Sequence, residues 1–313
     1  MPILTNGTLL YIQVYLSLDR HIARSRWAFI KDVKMNRLLI IDGHNLLFQM
    51  FFGMPSRIIG AKGEAIQGVI GFVGAINRLA DTYHPTHLCV IFDGEKSNPR
   101  KNILEDYKAN RIDYSEVPDE ENPFSQLPIV YEALDYMGIR HTETTVCETD
   151  DVIASYAVKY GKECEVFISS FDSDYFQLIN ENVKVIRYRG QNTVLCDARY
   201  IYEKFGVPPS RYLDYKCLVG DNSDNIPGVR GVGPKTAAKL INKLGGLNSI
   251  LKRSSEIENQ RIRYAIECCR DTIDINISLI SLDGSADIPF NLDEIEFTNP
   301  RLRTMDVIRG IGH

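Results

Sequence analysis

Nine carboxylates fall into five short groups along the chain. They are Asp42 after LLII, Asp93 after LCVIF, Glu148 with Asp150 and Asp151, Asp172 with Asp174 after VFISSF, and Asp221 with Asp224. One aspartate after a strand is ordinary. Five such groups are not, because acids packed together repel unless cations neutralise them. These residue types therefore point to a site for two or more divalent metal ions. Oxygen ligands suit Mg²⁺ or Mn²⁺, whereas zinc favours histidine or cysteine. Two ions about 3.5–4 Å apart can activate water, neutralise a phosphate and stabilise a leaving oxygen. The chemistry expected is thus phosphate-ester hydrolysis. His44, close to Asp42, is read as a non-ligand.

The elements that must position these acids follow from apolar patterning. From Met35 to about Tyr200 the chain alternates strand and helix. Strands are expected at Leu38–Ile41, Leu88–Phe92, Val166–Ser169 and Val183–Ile186, with helices at Ile66–Tyr83, Pro128–Met137 and Thr149–Tyr160. This alternation implies a mostly parallel sheet flanked by helices. Its functional crevice lies at the carboxyl ends of the strands, where Asp42, Asp93 and Asp172 fall. Thr149 is a candidate helix cap, which offers a structural reading of the Glu148 group by itself. Residues 94–127 mix both charges and read as a long exposed segment with short helices.

The second half carries GDNSDNIPGVRGVG followed by PKTAAKLINKLGG. The turn from Gly228 through Arg230 and Gly231 to Gly233 leads into a helix opened by Pro234, a favoured first-turn residue. Free backbone N–H groups at such a start form an anion cradle. Lys235, Lys239 and Lys243 recur every four residues and share one helix face, with Ala238, Ile241 and Leu244 turned inward. Either feature alone is weak, since a lysine stripe is usually a solvated face. Together they suit a grip on a duplex backbone that positions DNA without reading its sequence.

Composition narrows the classes. The 313 residues are 44% hydrophobic and 25% charged, ordinary for a globular protein. No apolar run approaches the roughly 20 residues of a membrane span. The seven cysteines are scattered and form no CxxC pair, which suits reduced thiols and a cytoplasmic setting. The net charge of −5 does not exclude DNA, because setting the nine clustered acids aside leaves the remainder positive. Residues 1–34 differ in character from the rest of the chain. They read as an extension, a misassigned start before Met35, or a targeting segment, so organellar targeting stays open.

LLIIDGHNLLF, THLCVIFDG, YKANR, CETDDVIASYA, SSFDSDYFQLI and above all LVGDNSDNIPGVRGVGPKTAAKLI carry a resemblance. Over roughly Arg37 to Ser281 the chain resembles the 5′-nuclease family: the flap endonuclease or 5′→3′ exonuclease domain of bacterial DNA polymerase I and its standalone bacterial and phage relatives. The resemblance implies a PIN-like α/β nuclease domain over 35–205, with an arch or gateway at about 94–127. A helix–three-turn–helix DNA-binding region, helix-hairpin-helix-like, comes next over 206–290, then a tail over 291–313. It implies that Asp42, Asp93, Glu148 and Asp150 surround one metal and Asp172, Asp174 and Asp221 a second, with Asp151 and Asp224 nearby. Lys108, Arg111 and Arg100 are the implied basic catalytic positions, and Tyr107 stacks on a base or is a half-buried helix residue. Relatives often hold K⁺ in the Gly228–Gly233 hairpin. Phe171 departs from the family, standing where a small residue is usual.

The reaction so implied is metal-dependent cleavage of DNA near single-strand/duplex junctions, in replication or repair. The expected partners are flap or 5′-ended DNA and a separate polymerase and ligase; no membrane is involved and the protein is a monomer. A PIN-type ribonuclease shares the acidic core but has no need of the lysine helix. A non-catalytic junction-binding protein would tolerate gaps in the acid set. A structural metal domain leaves the lysine stripe unexplained.

Overall fold

A computed structural model describes residues 35–94, 100, 103–104, 106–110, 112–299 and 301–313. Residues 1–34 and Arg111 lie outside them. Two apolar runs build the centre of the sheet. NRLLIID forms β1 (Asn36–Asp42) and HLCVIF forms β2 (His87–Phe92), and nearly every side chain in them is buried. Such unbroken apolar strands belong in a sheet covered on both faces. With β3 (Arg140–Glu143), β4 (Cys164–Ser169), β5 (Val183–Arg187) and β6 (Val194–Cys196), they form a six-stranded sheet among the described residues. Its order is β3-β2-β1-β4-β5-β6. β1 pairs with β2, β2 with β3 and β4 with β5 in parallel, and β6 runs antiparallel on the edge.

The expected strands and helices are all present, with ends that shift by a residue or two. α1 (Gly43–Gly53), β3 and β6 were not foreseen. β3 reads RHTE and β6 reads VLC, so neither is long or apolar enough to signal a strand; each forms because a neighbour supplies the ladder. α2 (Gln67–Tyr83) and α3 (Leu127–Tyr136) pack with α1 in one core, which contains Leu39, Ile41, Phe72 and Val90. α4 (Thr149–Tyr160) packs on the other face with Leu38, Ile40 and Val166.

That second core continues without a break into the helical half. It takes in α5 (Ala198–Phe205), α6 (Tyr212–Val219), α7 (Pro234–Leu244), α8 (Leu247–Lys252), α9 (Gln260–Cys268) and α10 (Arg270–Ile280). A short hairpin, β7 (Gly220–Asp221) against β8 (Ile226–Pro227), interrupts the helices. Asn276, fully buried on α10, pins it by donating to the carbonyls of Cys217 at 3.0 Å and Pro227 at 2.8 Å. Residues 291–313 return to the sheet. Leu88 N–H donates to the Ile295 carbonyl at 2.9 Å, and Phe297 N–H to that of Thr86 at 2.8 Å. α11 (Thr304–Gly310) then buries Val307 and Ile308 in the α2–α3 core.

Candidate active site

The sheet order explains how distant acids converge. Register places Asp42 beside Ile91 and Phe92 beside Glu143, so the carboxyl ends of β1, β2 and β3 lie side by side. Asp42, Asp93, Asp150 and Asp172 all line one cleft of about 1000 Å³, with Lys108, Glu143, His44 and Phe48 also on its walls.

Each acid is held by backbone or hydroxyl donors. Asp42 caps α1, accepting from Asn45 N–H at 3.2 Å, and its other oxygen accepts from Ser170 Oγ at 2.8 Å. The same Ser170 hydroxyl accepts from Asp172 N–H at 3.0 Å, which ties the end of β1 to the loop after β4. Asp93 accepts from Thr149 N–H at 3.0 Å, so the cap of α4 is supplied from β2. Thr149, the expected cap, is instead the first helical residue, and its buried hydroxyl has no partner. Asp150 accepts from Tyr175 Oη at 2.6 Å.

The electrostatics are those of acids in excess. Burial, then the charge of Asp93, pushes Asp42 up to about 7. Burial and Asp172 raise Asp150 well above the usual carboxylate range. Burial also opposes ionisation of Asp93, but the nearby His44 imidazole and the Thr149 N–H outweigh it and bring that carboxyl down to about 2. The His44 Nδ1 lies 3.9 Å from Asp93, while its Nε2 is buried without a partner.

A second group forms at the 3-10 turn Asp174–Leu178 and the β7–β8 hairpin. Asp174, Asp221 and Asp224 each present an oxygen within 4.8 Å of the others. Burial and Asp172 push Asp174 up to about 7, against the pull of Lys216. Burial also works against the charge of Asp221, but Lys216 and Ser223 leave its carboxyl below the ordinary value. The donors in both groups are oxygen only, and the first group lines an open cleft. That set fits hard divalent cations.

Several expectations need correction. Asp172 lines the first cleft and is not confined to the second group. Asp151 is buried and turned away from the cleft, accepting from Arg100 Nη2 at 2.8 Å and from Asp283 N–H at 2.9 Å. Arg100, expected at a basic catalytic position, is only 8% exposed and bonds Glu148, Asp151 and the Ser281 carbonyl. Tyr107 is 2% exposed in a turn, where its ring packs in the core and offers no face to a base. Lys108 does reach the cleft; its Nζ lies 3.2 Å from Glu148. On α7 the inward positions are Ala237, Leu240, Ile241 and Leu244, with Ala238 only half-buried. Phe171 is half-buried, with Arg189 lying 5.0 Å over its ring.

The glycine turn has the expected form. Val229 and Val232 are buried and anchor it, whereas Arg230, Gly231 and Gly233 are exposed. Gly228 permits close approach, since a Cβ there would meet the Val219 carbonyl oxygen. Gly231 has φ 83°, in the left-handed region. Lys235, Lys239 and Lys243 are all exposed on α7. The sequence reading missed Lys216, Ser170 and Tyr175. A lysine inside the apolar run YLDYKCLV was the available signal for the first.

Comparison with known proteins bears on this arrangement. The N-terminal resolvase-like domain of the 5′-3′ exonucleases matches residues 37–206, and their C-terminal SAM fold matches residues 207–303. The chain belongs to the 5′-3′ exonuclease family. The chain is 33% identical over 273 residues to the 5′-3′ exonuclease of Aquifex aeolicus, covering 87% of this chain and 90% of that one. It is 32% identical to the thermostable DNA polymerase I of Thermus thermophilus, but spans only 30% of that protein's length. Its fold matches that of bacteriophage T5 flap endonuclease, solved as a pseudo-enzyme-product complex with DNA and metal ions. The TM-score is 0.67 at 24% identity, over 89% of this chain and 100% of that one.

Proposed function

We propose that this protein is a structure-selective, divalent-metal-dependent 5′ nuclease that hydrolyses DNA near single-strand/duplex junctions during replication or repair. The observation that carries the reading is the convergence of Asp42, Asp93, Asp150 and Asp172 on one cleft with Lys108 on its wall. Mg²⁺ or Mn²⁺ held by these acids and by Asp174, Asp221 and Asp224 would supply water activation and leaving-oxygen stabilisation. Asp42 and Asp93 act with the helix starts they cap, so their orientation is set before substrate arrives. Lys108 would meet the phosphate, while Arg100 and Asp151 hold the Glu148 end of α4 in place. Gly228–Gly233 and the α7 lysines would grip the duplex backbone, with K⁺ as a candidate at the turn. A separate polymerase and ligase would act beside a monomeric nuclease.

The test is cleavage of a 5′-labelled flap substrate with Mg²⁺ and with EDTA, alongside a blunt duplex, a single strand and a single-stranded RNA. Metal-dependent release near the junction is expected. Tight flap binding without cleavage in Mg²⁺ or Mn²⁺ would favour a junction-binding protein, and preferential cutting of the RNA would favour a ribonuclease.

A further inference from the structure

Lys216 takes no part in the chemistry proposed above, yet it is placed with care. It lies on α6 and is 5% exposed. Its Nζ bonds Asp174 Oδ1 and Asp221 Oδ2 directly and lies 3.2 Å from Ser173 Oγ. Taking an ammonium out of water costs several kcal/mol, about enough to exclude it from a core unless acids repay the loss. Here two of the three carboxylates that could share an ion repay it. The ammonium thus holds one oxygen on each of two carboxylates that a divalent ion would share. A lysine side chain is a flexible stem with a compact charge, able to leave such a place without unfolding its helix.

We propose that Lys216 is a built-in counter-cation for the second acidic group. It neutralises Asp174 and Asp221 when no divalent ion is there, and it must leave those oxygens for an ion to bind. Lys216 therefore competes with the second ion and sets its affinity. The inference rests on the reading of these acids as a metal site.

Mn²⁺ binding without DNA, followed by electron paramagnetic resonance of the free ion, tests it on wild type, Lys216→Met and Lys216→Arg. In Lys216→Met the weaker of two ions should bind about tenfold tighter, the range expected for one competing charge. The metal-free melting temperature of this variant should fall and Mn²⁺ should restore it. Lys216→Arg, which keeps the charge, should bind as wild type does. Two-ion binding by wild type with no tightening in Lys216→Met would overturn the competition alone. No Mn²⁺ binding by either would overturn the metal-site reading and the competition with it. Amine acetylation of wild-type protein, read by mass spectrometry at Lys216, gives the same answer should Lys216→Met not fold. Mn²⁺ should increase modification there, and unchanged or stronger protection would sink the proposal.

Discussion

Asp42, Asp93, Asp150 and Asp172 line an open cleft, whereas in the group of Asp174, Asp221 and Asp224 the first two bond a lysine on α6. Both groups concentrate negative charge, and each handles the repulsion differently. The first leaves Asp42 and Asp150 raised by burial and by neighbouring acids. The second draws Lys216 out of solvent and keeps Asp221 ionised. The first is thus ready for an external cation, and the second carries an internal one. Arg100 in turn bonds Glu148 and Asp151. Carboxylates close together in sequence therefore divide into those that line the cleft, such as Asp150, and those bonded by Arg100, such as Asp151.

The largest effect should come from breaking the open cleft. Asp150→Asn should lower flap cleavage about 10³-fold while DNA binding by fluorescence anisotropy stays within about twofold. Equal losses of both would place Asp150 in folding instead of chemistry. Next comes the clamp. Arg100→Ala removes the guanidinium that Glu148 and buried Asp151 share and should cost about 3–5 kcal/mol in urea denaturation. An unchanged midpoint would mean that Arg100 faces the substrate after all.

The raised carboxyls give a smaller, pH-dependent effect. Burial pushes the Asp42 and Asp174 carboxyls up to about 7 in the fold, from an ordinary value of 3.8. Between those values the folded protein holds more protons than the unfolded chain, so metal-free stability falls as pH rises through that window. A loss of about 5 °C in melting temperature is expected from pH 5 to 7.5. Mg²⁺ should remove most of the slope, and Asp42→Asn part of it. A metal-free profile that is flat or rises with pH would contradict the crowding of acids described here. The mildest change concerns the exposed helix. Replacing Lys235, Lys239 and Lys243 together by alanine should weaken duplex binding and lower its salt slope by about one unit per lysine. An unaltered slope would remove α7 from the DNA-binding surface.

Much of this was legible in the chain. The runs LLII and LCVIF are too apolar to be anything but buried, and an acid directly after each must sit at a sheet edge. The capping chemistry of Gly233-Pro234 and the four-residue lysine spacing are likewise local properties. These features depend on neighbours within a turn or a strand, which the amino-acid order alone determines. Only the tertiary structure decided which acids share a space. Asp93 caps a helix 56 residues away, and Ser170 reaches Asp42 across 128. Such pairings depend on the strand order β3-β2-β1-β4, which no local period encodes. The same holds for Tyr107 and Arg100. Their segment looks polar and exposed, yet the two side chains fill gaps made by α4 and by the chain around Ser281. Burial of a charged or aromatic side chain is set by what the rest of the fold brings against it, and for Lys216 that was two aspartates from separate turns.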